Sequence, residues 1–145
     1  MSHYDTNLDK NKANYVPLTP LTFLKRAKEI YPKYEALIYE NRKYSWEEVY
    51  KRTVRFASAL KKIGIGKGDT VSFLAFNTPE IFEGHYSVPM TGAVLNTINI
   101  RLDAKTIAYI LDHSEAKVLV VDRQLHVEVK KALSSLKKKI IIIDI

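Results

Sequence analysis

Cysteine is absent from this 145-residue chain, which excludes disulfides and thiolate-bound metal centres and is compatible with a reducing compartment. No apolar run approaches the roughly 18 to 20 residues that cross a bilayer, so a transmembrane segment is not expected. The opening stretch MSHYDTNLDKNKANY is polar and unlike a secretory leader, and the expected location is therefore cytoplasmic. Histidine is sparse: His3, His85, His113 and His126 are scattered, with no i, i+4 pair to hold a metal. Glycine is scarce too, yet three of the five crowd into GIGKG, as Gly64, Gly66 and Gly68.

What is present suits one soluble domain with a real core: 46% apolar and 27% charged residues. The net charge of +7 arises from lysines and arginines spread along helical stretches, clustered only at Lys61-Lys62 and Lys137-Lys138-Lys139. So diffuse a footprint describes a solvated surface, and no nucleic-acid partner is expected.

Residues 1–14 carry little apolar periodicity and are expected to form a flexible lead-in, with one α/β unit over 15–145. Thr19, Pro20 and the apolar spacing of Phe23, Leu24, Ala27, Ile30 and Tyr31 predict a helix over 20–31, stopped by Pro32. Ala36 to Tyr39 and Arg42 to Tyr44 flank Glu40-Asn41 as a small hairpin. Ser45 and Glu48 have capping-box spacing, opening a helix whose face is Val49, Tyr50, Thr53, Phe56, Ala57 and Leu60 and whose end is Gly64. An alternation follows: strand 70–76, helix from Thr78-Pro79 to Gly92 with Pro89 bending or shortening its last turn, strand 93–98, helix capped by Asp103, strand 117–122, helix in QLHVEVKKALSSLK, and a final strand in KIIIIDI. The fold class is thus α/β, a mostly parallel sheet with flanking helices and a small amino-terminal hairpin. Ile140 to Ile143 need cover on both faces, and no helix follows to give it. Such an edge invites association, so a shortened chain, a missing packing partner or a homo-oligomer is expected.

The GIGKG stretch raises the possibility of a phosphate loop. That device runs strand, glycines, helix, so that the helix amides and the positive dipole end face the anion. Here the order is helix, glycines, strand, and the helix end facing the loop is the negative one. A helix stop and a turn is the reading that fits. FNTPE is better placed, after the first parallel strand and before a helix, where open α/β sheets bind ligands. Capping alone accounts for Asn77 and Thr78, however. In NTINIRLD the polar Asn96, Thr97, Asn99 and Arg101 either order a loop by hydrogen bonds or face a partner domain. Asp122 and Asp144 end strands but lack the paired acids and late lysine of a phosphotransfer receiver. No Ser, His and acid set stands in a nucleophile-elbow context. His113 suits a helix carboxyl terminus, and Trp46 is read as a packing anchor. No catalytic or metal residue is assigned.

The blocks NYVPLTPLTFLKRA, KYSWEEVYKRTVRFASALKKIGIGKGDTVSFLAFNTPE, PMTGAVLNTINIRLD and IAYILDHSEAKVLVVD, in this order, resemble the amino-terminal part of the AMP-forming acyl-CoA synthetases, within the adenylate-forming superfamily. The first and third are more similar to the short- and medium-chain fatty acyl-CoA ligases than to peptide-synthetase domains. The resemblance implies a parent reaction in which ATP and a carboxylic acid give an acyl-adenylate and pyrophosphate, and coenzyme A then displaces AMP. It implies ATP, Mg2+ and CoA for the parent, and the remainder of the synthetase chain as partner. The family's phosphate loop and its mobile carboxyl-terminal domain with the adenylation lysine have no counterpart here. No cofactor is therefore expected in this fragment, and no ligase activity from it in isolation. A stand-alone interaction module and a small nucleotide-binding domain are the rival readings.

Overall fold

The computed structural model describes residues 9–145, so His3 and most of the lead-in expected over 1–14 lie outside the described residues. Residues 9–18 are exposed and carry no helix or strand. Helix α1 spans Pro20–Ile30, and its first turn is tied by the Thr22 hydroxyl, which donates to the Thr19 carbonyl at 2.7 Å. The hairpin is present as β1 (Glu35–Tyr39) paired antiparallel with β2 (Arg42–Ser45). Glu40 takes the positive φ of its turn.

Helix α2 (Trp46–Lys62) begins in the predicted capping box: the Glu48 N–H donates to Ser45 Oγ at 3.3 Å, and the Ser45 N–H donates to Glu48 Oε2 at 2.7 Å. Its other end closes as the spacing requires. Gly64, at φ 87°, donates to the Lys61 carbonyl, and Ile65 reaches back to the Leu60 carbonyl, both at 3.0 Å. Ile65 and Leu60 then share one apolar cluster.

Four parallel strands follow: β3 (Thr70–Leu74), β4 (Val94–Thr97), β5 (Ala116–Val121) and β6 (Ile141–Asp144), in the spatial order β4-β3-β5-β6. The first strand is therefore central, which is why Val71, Ser72, Phe73 and Leu74 are all buried. It is shorter than the apolar run over 70–76 suggested. The backbone turns away after Leu74, whose carbonyl accepts from Asp122, while Ala75 stays buried without being paired. The final strand, Ile141–Asp144, is likewise shorter than the KIIIIDI stretch.

Helices α3 (Pro79–Thr91), α4 (Ala104–His113) and α5 (His126–Ser134, after a 3-10 turn at Arg123–Leu125) connect the strands. Alternate residues of the sheet divide the core. Val71, Phe73, Val118 and Val120 pack with Leu60 of α2 and Val88 of α3 on one face. Leu74, Leu119 and Val121 pack with Ile107 and Leu111 of α4 and Val129 of α5 on the other. Pro89 does not end α3, which continues to Thr91 and stops at Gly92. Among the described residues no helix is long and apolar enough to cross a membrane.

Candidate functional site

The glycine turn and the carboxyl ends of the strands lie at opposite edges of the sheet, and this separates the two candidate sites. At the turn, Asp69 Oδ2 accepts the Gly66 N–H at 2.9 Å, and Asp69 Oδ1 pairs with Lys117 Nζ at 2.5 Å. Lys117 and the Gly66 amide hold the Asp69 carboxyl below its usual range, with the lysine as the larger cause. A carboxylate of the chain itself thus occupies the amide that an anion would need. The turn anchors the start of β3 to β5 instead of cradling phosphate.

At the carboxyl edge the chain reverses direction across the sheet: β4 lies on one side of β3 and β5 on the other, so β3 and β5 flank a switch point of the kind where open α/β sheets take ligands. The Asp122 side chain is already used there, accepting from the Gln124 N–H at 2.9 Å. The open space lies one strand over. A groove of 540 Å³ runs between Ala75-Phe76-Asn77 after β3 and Thr97-Ile98-Asn99 after β4, with Ile81 and His85 of α3 as its wall. A second groove of 480 Å³ shares Asn77, Ile81 and His85 and continues along α3 to Leu37, Ile38 and Tyr39 of β1. Together they form an apolar trough with a polar lip, the usual make-up of a small-molecule site.

Several polar residues singled out by their spacing have structural tasks. Asn96 Nδ2 donates to the buried Ser72 Oγ at 3.0 Å and to Ser114 Oγ at 3.3 Å, tying β4 to β3 and to the end of α4. Asn99 Oδ1 accepts the Arg101 N–H at 2.9 Å, so the loop after β4 is ordered by its own side chain. Asp103 caps α4 by accepting from the Thr106 N–H, which holds its carboxyl below the usual range. His113 stacks on Tyr109 at the end of α4. Trp46 borders a shallow groove with Phe23, Leu24 and Tyr31 of the α1 segment.

Thr78 departs from the capping reading. Its backbone has cap geometry, but its hydroxyl makes no capping bond, and Oγ1 is buried without a hydrogen-bond partner among the described residues. Thr53 Oγ1 and Ser87 Oγ are buried without a partner in the same way, so the state of Thr78 does not by itself mark a ligand site.

The sequence reading missed a second cluster altogether. Arg52 of α2 donates through Nε to Glu83 of α3 and through Nη2 to Glu80 at 3.3 Å, and its guanidinium lies 5.2 Å from the Tyr44 ring. Burial raises the Glu83 carboxyl above its usual range despite the opposing pull of Arg52. Arg55, Phe56, Val120 and Ile145 join these residues around a cleft of 390 Å³ beside β6. The Glu80 and Glu83 spacing was visible, but the pairing of α2 with α3 that brings Arg52 to them was not. Among the described residues no group of three His, Asp or Glu side chains converges as a metal site.

The AMP-binding enzyme family model matches residues 24–145. The chain is 54% identical over 129 residues to a peroxisomal trans-cinnamate:CoA ligase of Petunia hybrida, an alignment covering 89% of this chain and 23% of the relative. It is 55% identical over 116 residues to a peroxisomal butyrate–CoA ligase of Arabidopsis thaliana, covering 80% of this chain and 20% of that one. The solved coronafacic acid ligase of Pectobacterium brasiliense superposes with a TM-score of 0.78 at 25% identity, over 85% of this chain and 25% of that structure. The chain thus spans about a quarter or less of these relatives, and the similarity is to their amino-terminal part.

Proposed function

The chain belongs to the AMP-binding enzyme family, and on that premise we propose that it is the amino-terminal α/β layer, over 15–145, of an acyl-CoA synthetase that converts ATP, a carboxylic acid and coenzyme A to acyl-CoA, AMP and pyrophosphate. The observation that carries this reading is the 54% identity over 129 residues to a trans-cinnamate:CoA ligase. Fatty-acid or related acyl metabolism is the corresponding setting.

ATP, Mg2+ and coenzyme A are the cofactors of the proposed parent reaction. At the glycine turn the Gly66 amide is taken by Asp69, and among the described residues no acidic set converges on a cation. The contribution of this chain is positional: a sheet whose carboxyl end presents His85 and the apolar trough to the rest of the enzyme. Relatives named for cinnamate and butyrate match this segment about equally, at 54% and 55% identity, so the match does not single out one acid. The cytoplasm is the proposed compartment, and peroxisomal import, printed in the names of both relatives, is the alternative that imaging of the tagged parent protein separates.

The test is a chimera in which this segment replaces the corresponding segment of the petunia ligase. Formation of cinnamoyl-CoA at a rate within about tenfold of the parent supports the reading, since a correctly packed scaffold leaves the transition state untouched. A folded chimera without activity overturns it. The 145-residue chain alone should release no AMP from ATP, Mg2+, acid and coenzyme A. The groove between the segments that follow β3 and β4 is where a second reading, a small nucleotide-binding module, would place its ligand. A rise in melting temperature with ATP would establish that reading, because only a ligand of the native state stabilises it.

A further inference from the structure

The hairpin of β1 and β2 stands apart from the four-stranded sheet, so α1, the hairpin and α2 form one unit, and β3 to β6 with α3, α4 and α5 form another. Across the boundary the packing is apolar: Phe56 meets Phe73 edge-on, and Leu60 shares a cluster with Val71 and Val88. Contact of that kind is non-directional and fixes no single angle between the units. Among the described residues, the bonds from Arg52 to Glu83 and Glu80 are the only hydrogen bonds or ion pairs that join residues 9–62 to residues 66–145.

Arg52 stands behind both walls of the trough without lining it. Glu80 and Glu83 share one side of α3, and Ile81 and His85, which line the trough, share another that is turned away from Arg52. The guanidinium also lies 5.2 Å from the ring of Tyr44, and Tyr44 of β2 pairs in register with Leu37 of β1, a residue of the facing wall. All these partners belong to elements that lie wholly within the described residues. The rigid fork of the guanidinium supplies the direction that apolar packing lacks, and a lysine ammonium in its place would not.

We propose that Arg52 is the pin that sets how the hairpin unit sits on α3 and, resting on the acyl-CoA synthetase reading of the parent, that it is a positioning residue for the parent reaction. It acts through α3 and the hairpin. Glu83, 5% exposed, makes the pin costly to break from one side, because removing Arg52 alone strands a buried carboxylate. Replacing both partners by apolar side chains of similar volume removes the direction and leaves the packing.

That difference tests the proposal in the full-length parent, where the segment has its own surroundings. Arg52→Met should lower the melting temperature, and Arg52→Met combined with Glu83→Met should bring it back to near the native value. In the double variant kcat/KM for the acid, per folded molecule, should nevertheless stay down about tenfold or more, since small misplacements far from the chemistry are costly. Activity that returns together with stability shows that the pair only holds the fold, and overturns the proposal.

Amide exchange decides the matter even if the double variant does not fold. A two-stranded hairpin is marginal on its own, so its amides report how firmly its unit is seated. In full-length Arg52→Lys, which keeps the charge without the fork, the amides of β1 and β2 should exchange about tenfold faster than in the unmodified protein, while those of β3 and β5 hold. Equal acceleration in all four strands, or none, overturns the pin. An unmodified parent that forms no acyl-CoA defeats the synthetase reading and with it the positioning role, and the exchange pattern still judges the pin.

Discussion

A Cβ placed on Gly84 would lie 2.7 Å from the outer carbon of the Phe73 ring, so the ring of β3 fills the space that a side chain on α3 would otherwise take. Phe73 is fully buried and also meets Phe56 of α2 edge-on, with ring centroids 6.2 Å apart. One aromatic ring thereby sets how closely α2 and α3 approach the sheet.

Gly84→Ala should therefore destabilise the protein although alanine is the better helix former. The gain in helix propensity is about 1 kcal/mol, while overpacking a close-packed core costs about 1–3 kcal/mol. The midpoint of urea unfolding should fall. Adding Phe73→Leu should cost less in the alanine background than in the native one, and additive effects would show that the ring and the glycine are not coupled.

Glu83 is 5% exposed and its carboxyl is raised by burial, with Arg52 pulling the other way. A folded value above the unfolded 4.5 means that the native state binds more protons in that window. The contribution of Glu83 is then fully present below pH 4.5 and is lost as pH rises through the folded value. Urea unfolding at a series of pH values should show native stability relative to Glu83→Gln falling with rising pH, and a flat difference would contradict the assignment. Arg52→Ala should extend that fall to higher pH. It should also cost about 2 kcal/mol, less than the roughly 3–5 of a fully buried pair because water reaches the guanidinium.

Gly66 and Gly68 separate under the same substitution. Gly68 has φ 86° and Gly66 has no such conformation, while both have open space around the missing Cβ. Gly68→Ala should cost about 1–2 kcal/mol from left-handed strain alone. Gly66→Ala should be neutral, or stabilising by about 0.5 kcal/mol through a stiffer unfolded chain. Equal losses at both positions in thermal unfolding would refute this reading of the turn.

Asp69, held below its ordinary 3.8 by Lys117 and the Gly66 amide, titrates with the opposite sign to Glu83. Its contribution is present above pH 3.8 and is lost as pH falls through the lowered folded value. Asp69→Ala should lower the melting temperature at neutral pH and flatten the acid limb of the stability curve. An unchanged acid limb would show that the carboxylate does not anchor the turn.

The elements were legible wherever a local signal sufficed. Ser45 with Glu48, Gly64 after Leu60, and the burial of Val71 to Leu74 all appear as their spacing implies, because caps, left-handed stops and apolar runs depend on neighbours within a turn of chain. Ends were less legible: the run over 70–76 continues past Leu74, since where a strand stops depends on where its partners stop. The candidate site was legible only in outline. FNTPE was placed at the right edge of the sheet, but the trough also needs His85 and β1, and Thr78, read as a cap, leaves its hydroxyl unpartnered.

By itself the sequence determined the α/β class, the parallel alternation, the rejection of the glycine turn as a phosphate loop and the likeness to acyl-CoA synthetases, all of which rest on the order and spacing of residues along the chain. Only the tertiary structure decided the strand order β4-β3-β5-β6 and the Arg52 cluster with Glu80 and Glu83. Those depend on which distant segments share a face once the sheet is assembled, and pairwise approach across some thirty residues leaves no periodicity for a reader of the chain to find.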